Sequence, residues 1–145
     1  RQCTVSQGIA DSKIHPHFLG NTAMCVRTYP IRVGAVPGEK DSYSGGHYPD
    51  QEETSWERLG VQAERTTVTN RVRRVFTWSD RQFRDACREN RPSVVFLNFC
   101  NYCDQEQTAA IKRSIEEIAY QETGDTPKVY LGYGPNVEDI GVSIR

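Results

Sequence analysis

The run Thr66-Thr67-Val68-Thr69-Asn70-Arg71-Val72-Arg73-Arg74 concentrates anion-binding chemistry. In extended backbone, side chains two residues apart share a face, so Arg71 and Arg73 project together with Thr69 in line. Guanidinium groups grip carboxylate or phosphate as forks, and threonine hydroxyls with backbone N–H groups add donors. A small dianion such as aspartate, or a nucleotide phosphate, suits that face. The competing reading is a solvated basic hairpin, since charge runs are common on surfaces. Threonine beside arginine weakens that reading without removing it.

A second cluster comprises Leu97-Asn98-Phe99-Cys100-Asn101 and Leu131-Gly132-Tyr133-Gly134-Pro135. If the two stretches end parallel strands, they meet where ligands of open α/β sheets sit. Phe99 and Tyr133 can stack on a base, Asn98 and Asn101 can hydrogen-bond its edge, and the glycines admit close backbone. The alternative is ordinary loop chemistry covering a sheet end. Cys100-x-x-Cys103 has redox or half-zinc spacing, but His15, His17 and His47 form no second ligand pair. Two small half-buried cysteines at a strand end are the expected reading, with no metal site.

These groups need elements to hold them. The stretch Ala23–Val33 alternates like a strand that Pro30 kinks or pushes to an edge. Residues 36–63 carry Pro37, Gly38, Gly45, Gly46, Pro49 and the run Asp50-Gln51-Glu52-Glu53, which predicts a long surface excursion with a short helix near 54–59. Val72, Val75 and Phe76 can anchor a turn or strand. Ser79 can cap a helix to about Asn90, with Phe83, Ala86 and Cys87 on one face. The apolar run Ser93–Phe99 predicts a strand buried on both faces. Asp104 can cap a helix to about Gln121, striped by Ala110, Ile111, Ile115, Ile118 and Ala119, with Gly124 past its end. Lys128–Leu131 then returns as a strand. This is a βαβ unit over residues 93–131, with a right-handed crossover expected, and the fold class is α/β.

Composition narrows the functional classes. The chain has 145 residues, of which 37% are hydrophobic, the size of one ordinary domain. Its 18 basic and 19 acidic side chains leave a net charge of −1, so no long-range field draws it to nucleic acid or anionic membrane. No apolar run approaches the roughly 20 residues needed to span a bilayer, and the N-terminus lacks a signal-peptide pattern. Five cysteines at irregular spacing suggest a reducing, cytosolic setting rather than a disulfide scaffold. No G-x-x-x-x-G-K-[ST] or G-x-G-x-x-G loop occurs. No catalytic residue is therefore assigned within this chain.

Taken in order, Arg27-Thr-Tyr-Pro-Ile-Arg-Val-Gly34 and Glu64-Arg-Thr-Thr-Val-Thr-Asn-Arg-Val-Arg-Arg74 resemble the adenylosuccinate synthetase family, most closely its archaeal and bacteriophage branch. Val94–Phe99 and Gly132-Tyr-Gly-Pro135 fall where that family has its later nucleotide-binding elements. The resemblance covers nearly the whole chain, least across residues 36–60. It implies the C-terminal part of a longer protein with a P-loop-NTPase-like mixed sheet, incomplete without an upstream segment. The phosphate loop, catalytic aspartate, catalytic histidine and Mg²⁺ ligands would precede Arg1, leaving this part inactive alone. It further implies a homodimeric ligase that couples nucleoside triphosphate hydrolysis to joining L-aspartate to C6 of a purine nucleoside monophosphate.

By resemblance, the loop at about 64–74 holds aspartate through Thr67, Val68, Thr69, Asn70, Arg71 and Arg73. Val33, Gly34 and Arg71 adjoin the monophosphate nucleotide. Arg73, Asn98, Phe99, Cys100, Asn101, Gly132, Tyr133, Gly134 and Pro135 adjoin the triphosphate nucleotide, the base segments being about 97–104 and 131–136. The family's guanine-reading pattern has lysine at the position of Phe99, aspartate at that of Asn101 and serine at that of Gly132. Their absence points to ATP or dATP rather than GTP, and Gly132 is expected to widen the base site. The bacteriophage branch makes a 2-aminoadenine precursor, 2-aminodeoxyadenylosuccinate, from dGMP and aspartate. That is the expected reaction, in host cytoplasm. An ordinary family member acting on IMP is the alternative, and a non-catalytic nucleotide-binding module is the alternative of another class.

Overall fold

The computed structural model describes residues 4–34 and 45–142, the side chain of Val142 excepted. In chain order the elements are α1 (Val5–Ser12), β1 (Ala23–Arg27), β2 (Ile31–Arg32), β3 (Glu53–Thr54), α2 (Trp56–Leu59), β4 (Arg74–Phe76), α3 (Asp80–Asn90), β5 (Val94–Asn98), α4 (Gln105–Thr123), β6 (Lys128–Gly132) and β7 (Ile140–Val142). Two sheets form. The larger has order β1-β5-β6-β7, with the first three strands parallel and β7 antiparallel to β6. The smaller is antiparallel, with order β2-β4-β3. The fold is mixed α/β, and β5-α4-β6 is the expected βαβ unit.

Local signals set the helix ends. The Ser79 hydroxyl accepts from Gln82 N–H to start α3. Asp104 and Gln107 form a capping box at the start of α4, and Gly124 ends it at φ 82°. Both helices pack on one face of the larger sheet. Phe83 and Cys87 of α3 and Ile115, Ile118 and Ala119 of α4 meet Val95, Leu97 and Val129 there. Burial of this apolar surface, at about 25 cal/mol per Å², is the main stabilising term.

Several expectations change. Strand β5 is not buried on both faces. Val95 and Leu97 are fully buried, whereas Phe96 is half-buried and stacks on Tyr130 with centroids 5.0 Å apart. Ala110 is exposed rather than part of the α4 stripe, and buried Thr108 takes its place, its hydroxyl donating to Asp104 O at 2.9 Å. Pro30 does more than kink one strand, because β1 and β2 on either side of it join different sheets.

The acidic run is not simply solvated. Gln51 is buried and donates to Thr77 O at 2.9 Å, and Asp50 accepts from the Ser79 hydroxyl at 2.7 Å and Arg81 N–H at 3.0 Å. Burial works to raise the Asp50 carboxyl, but these donors hold it below its usual range. The excursion contains α2 as expected, while Pro37 and Gly38 lie outside the described residues.

Candidate anion and nucleotide-base site

The threonine–arginine stretch folds as a hairpin between β3 and β4. Its rungs are Thr66 N–H to Arg71 O at 2.9 Å and Arg73 N–H to Glu64 O at 2.8 Å, with Arg65 bridged to Val72. Asn70 adopts left-handed backbone at φ 52°, which reverses the chain. The Thr66 and Thr69 hydroxyls bond each other, Thr66 Oγ1 accepts from Arg71 N–H at 3.0 Å, and the Arg65 guanidinium donates to Asn70 O at 2.9 Å. Thr69 therefore does not lie in line with Arg71 and Arg73 as extended geometry predicts. It sits in the turn, with Thr67, Val68 and Asn70 exposed around it.

Arg71 and Arg73 are half-buried and border a cavity of about 740 Å³ that Gly34, Trp56, Glu57 and Arg74 also line. Gly34 is required by close approach, since a Cβ there would collide with the Val72 carbonyl oxygen. Val33 beside it is 48% exposed. The Trp56 indole N–H donates to Arg73 O at 2.7 Å and fixes that strand. Arg74 is engaged in a fork with Glu53 at 2.8 and 2.7 Å. The Arg74 hydrogen bond, opposed by burial, holds the Glu53 carboxyl below its usual range. By contrast, the guanidinium groups of Arg71 and Arg73 make no hydrogen bond or ion pair among the described residues. Two guanidinium groups at the rim of one cavity are chemically suited to grip a carboxylate or phosphate.

The second cluster also comes together, Leu97 pairing with Leu131 so that the ends of β5 and β6 lie side by side. Phe99 turns out of β5 through left-handed backbone at φ 63°, its carbonyl accepting from the buried Thr28 hydroxyl at 2.8 Å. A single 3-10 turn, Cys100–Tyr102, follows and leaves Asn101 exposed. The Arg27 guanidinium carbon lies 3.5 Å from the Phe99 ring centre. Gly132 is buried, and a Cβ there would stand 2.6 Å from Asn98 Oδ1. The glycine therefore widens nothing, because the Asn98 amide fills the space. Beyond it, Tyr133, Gly134 and Pro135 are exposed in a loop closed by Asp139, whose carbonyl accepts from Tyr133 N–H at 3.0 Å.

Burial pushes the Cys100 thiol up to about 11, and the thiol donates to Leu97 O at 3.2 Å. The Cys103 thiol is raised as well, by burial. No group of three His, Cys, Asp or Glu side chains able to hold a metal occurs among the described residues.

Arg73 sits with the anion cluster, and one residue outside the expected site set ties the two clusters together. Glu64, at the base of the hairpin, pairs with Arg27, which covers Phe99. Trp56 and Thr28 were likewise not marked by type or spacing. A lone acid beginning a basic hairpin is the one signal that singles out Glu64.

No protein-family model matches the chain. It is 43% identical over 152 residues to the N6-succino-2-amino-2'-deoxyadenylate synthase of Salmonella phage PMBT28, covering 100% of this chain and 41% of that protein. It is 43% identical over 140 residues to the protein of that name from Vibrio phage phiVC8, covering 97% and 39%. A solved structure, Cyanophage S-2L succinoaminodeoxyadenylate synthetase bound to dGMP and dATP as an energy donor, superposes with TM-score 0.84 at 34% identity, covering 99% of this chain and 39% of that one. The motifs at Arg27–Gly34 and Glu64–Arg74 thus resemble the bacteriophage branch for good reason: over its whole length the chain is a homologue of the phage N6-succino-2-amino-2'-deoxyadenylate synthases, and it spans about two fifths of theirs, 41% and 39% for the first two.

Proposed function

We propose that this chain is the C-terminal part of a ligase that joins L-aspartate to C6 of dGMP, giving N6-succino-2-amino-2'-deoxyadenylate. The carrying observation is the pair of guanidinium groups, Arg71 and Arg73, that find no partner among the described residues and border a cavity also lined by Gly34. Two forks on one strand match the two carboxylates of aspartate and leave its amine free to attack. In this reading Thr67, Val68, Thr69 and Asn70 flank aspartate, and Val33, Gly34 and Arg71 adjoin the dGMP ribose. Asn98–Asn101 and Gly132–Pro135 receive the triphosphate nucleotide, with Arg73 on its phosphate side. The 6-oxygen takes the transferred phosphoryl group, and the aspartate amine then displaces inorganic phosphate.

ATP or dATP is the donor. The Cyanophage S-2L protein, bound to dGMP and dATP, supports both nucleotide assignments. Mg²⁺ belongs to this reading, and by resemblance to the family its ligands are assigned to the part of the protein upstream of this chain. The working form is a homodimer in the host cytoplasm, and no described helix is long and apolar enough to cross a membrane.

The test uses the full-length protein with aspartate, Mg²⁺ and ATP, dATP or GTP, offering dGMP and IMP in parallel and reading product by mass. A succinyl adduct from dGMP is expected. Product from IMP alone would make it an ordinary adenylosuccinate synthetase, and nucleotide binding with no product would leave a binding module.

A further inference from the structure

Three segments distant in sequence meet on the Glu64 carboxylate. Arg27 at the end of β1 grips it as a fork, Nη1 reaching Oε2 at 3.2 Å and Nη2 contacting Oε1. The Tyr102 hydroxyl donates to Oε1 at 3.3 Å. Burial, then the Glu64 charge, push the Tyr102 phenol upward, so it remains a donor at neutral pH. The side chains of Arg27 and Glu64 are only 21% and 24% exposed, which separates this pair from weak surface bridges.

Each end of the contact is itself held. Arg27 Nε donates to Tyr29 O at 3.3 Å, and its guanidinium plane covers Phe99, whose ring packs 5.2 Å from that of Tyr102. The Glu64 carbonyl accepts from Arg73 N–H at 2.8 Å, one rung below Arg71. The carboxylate thus faces the β5 end while the same residue's backbone carries the arginine hairpin.

We propose that Glu64 is a positioning residue that locks the Arg71–Arg73 hairpin to the Phe99–Tyr102 turn, so that the amino-acid dianion and the triphosphate nucleotide are received by one rigid unit. This rests on the ligand assignments of the proposed function. The Glu64 carboxylate is taken up by Arg27 and Tyr102, so in this reading it binds neither ligand itself. It acts by fixing the distance between the two arginine forks and the Phe99–Tyr102 turn, a constraint that a guanidinium–carboxylate fork imposes and a looser contact does not.

Steady-state kinetics of the full-length protein with Glu64→Gln, Arg27→Lys and Tyr102→Phe test this. Glu64→Gln keeps the side-chain shape and removes the charge. The KM for aspartate should rise about tenfold, the KM for the donor nucleotide should rise with it, and kcat and the KM for dGMP should move less. Arg27→Lys, which keeps the charge but loses the fork, should give the same pattern in weaker form. A role in fold stability alone would lower kcat through the active fraction and leave every KM in place. An aspartate KM within twofold of the parent in folded Glu64→Gln overturns the proposal. If Glu64→Gln does not fold, Tyr102→Phe decides, a two- to fivefold rise supporting it and no change overturning it. Absence of product from the parent protein would instead refute the ligase reading itself.

Discussion

The Asn98 side-chain oxygen occupies the place a side chain at residue 132 would take, 2.6 Å from the position of its Cβ. Asn98 ends β5 and Gly132 ends β6, so the missing side chain on one strand is supplied by its neighbour. The Asn98 Nδ2 also donates to Phe96 O at 3.4 Å. Substitution at either position is therefore felt at the other.

Gly132→Ser must turn the Asn98 amide aside. Overpacking at a buried site should lower stability by about 1–3 kcal/mol, measured by urea unfolding. Asn98→Ala removes the obstruction, so the double variant should be less destabilised than the sum of the singles. Strict additivity would show that the two side chains do not compete for this space.

Arg71→Lys should not be conservative. An ammonium group cannot reproduce the fork, and losing one charge-assisted contact costs on the order of 1.5–3 kcal/mol. In the full-length protein kcat/KM for aspartate should fall about 10- to 150-fold, with the dGMP term following because Arg71 also adjoins its ribose. An unchanged aspartate kcat/KM would remove Arg71 from the amino-acid site.

Donor choice is expected to turn on Asn101, which is exposed in the middle of the 3-10 turn. A carboxylate accepts from both guanine N1–H and the 2-amino group, whereas an asparagine offers one acceptor and one donor group, a match for adenine N1 and N6. ATP or dATP should therefore outperform GTP, and Asn101→Asp should shift the ratio toward GTP. Equal or better turnover with GTP would refute the base-site argument. An unshifted ratio in Asn101→Asp would leave the donor and move the discriminator elsewhere.

Asp50 supplies a pH dependence. Its carboxyl is held below the usual range in the fold, so its stabilising effect is present above the unfolded-state value of a carboxylate. That effect is lost as pH falls through the lower folded value. Asp50→Asn should weaken the hold of the 45–54 segment on α3 at neutral pH and flatten the acid limb as pH falls below the usual carboxylate range. An acid limb identical to the parent's would show that Asp50 adds nothing to folded-state proton binding.

Elements whose signals are local were legible in the residues themselves. Ser79 and Asp104 marked two helix starts, Gly124 marked an end, and the apolar run at residues 93–99 marked the central strand. Caps and periodicity act over a few residues, so the chain carries them without reference to its neighbours. The shared direction of Arg71 and Arg73 was readable in the same way, as two residues of one type on one hairpin arm beside one cavity.

What lay beyond reach depends on partners far along the chain. Pro30 divides one apolar stretch between two sheets only because β5 and β4 are there to receive the halves. Asn70 turns the threonine segment away from the arginine face through a hydrogen-bonded closure that alternation does not register. The space at Gly132 is filled from another strand, and Arg27 finds Glu64 across 37 residues. Residue types supplied the cations, the aromatic faces and the caps. Sheet assembly decided which of them meet, because strand pairing sets contacts between positions whose separation in sequence carries no periodic signal.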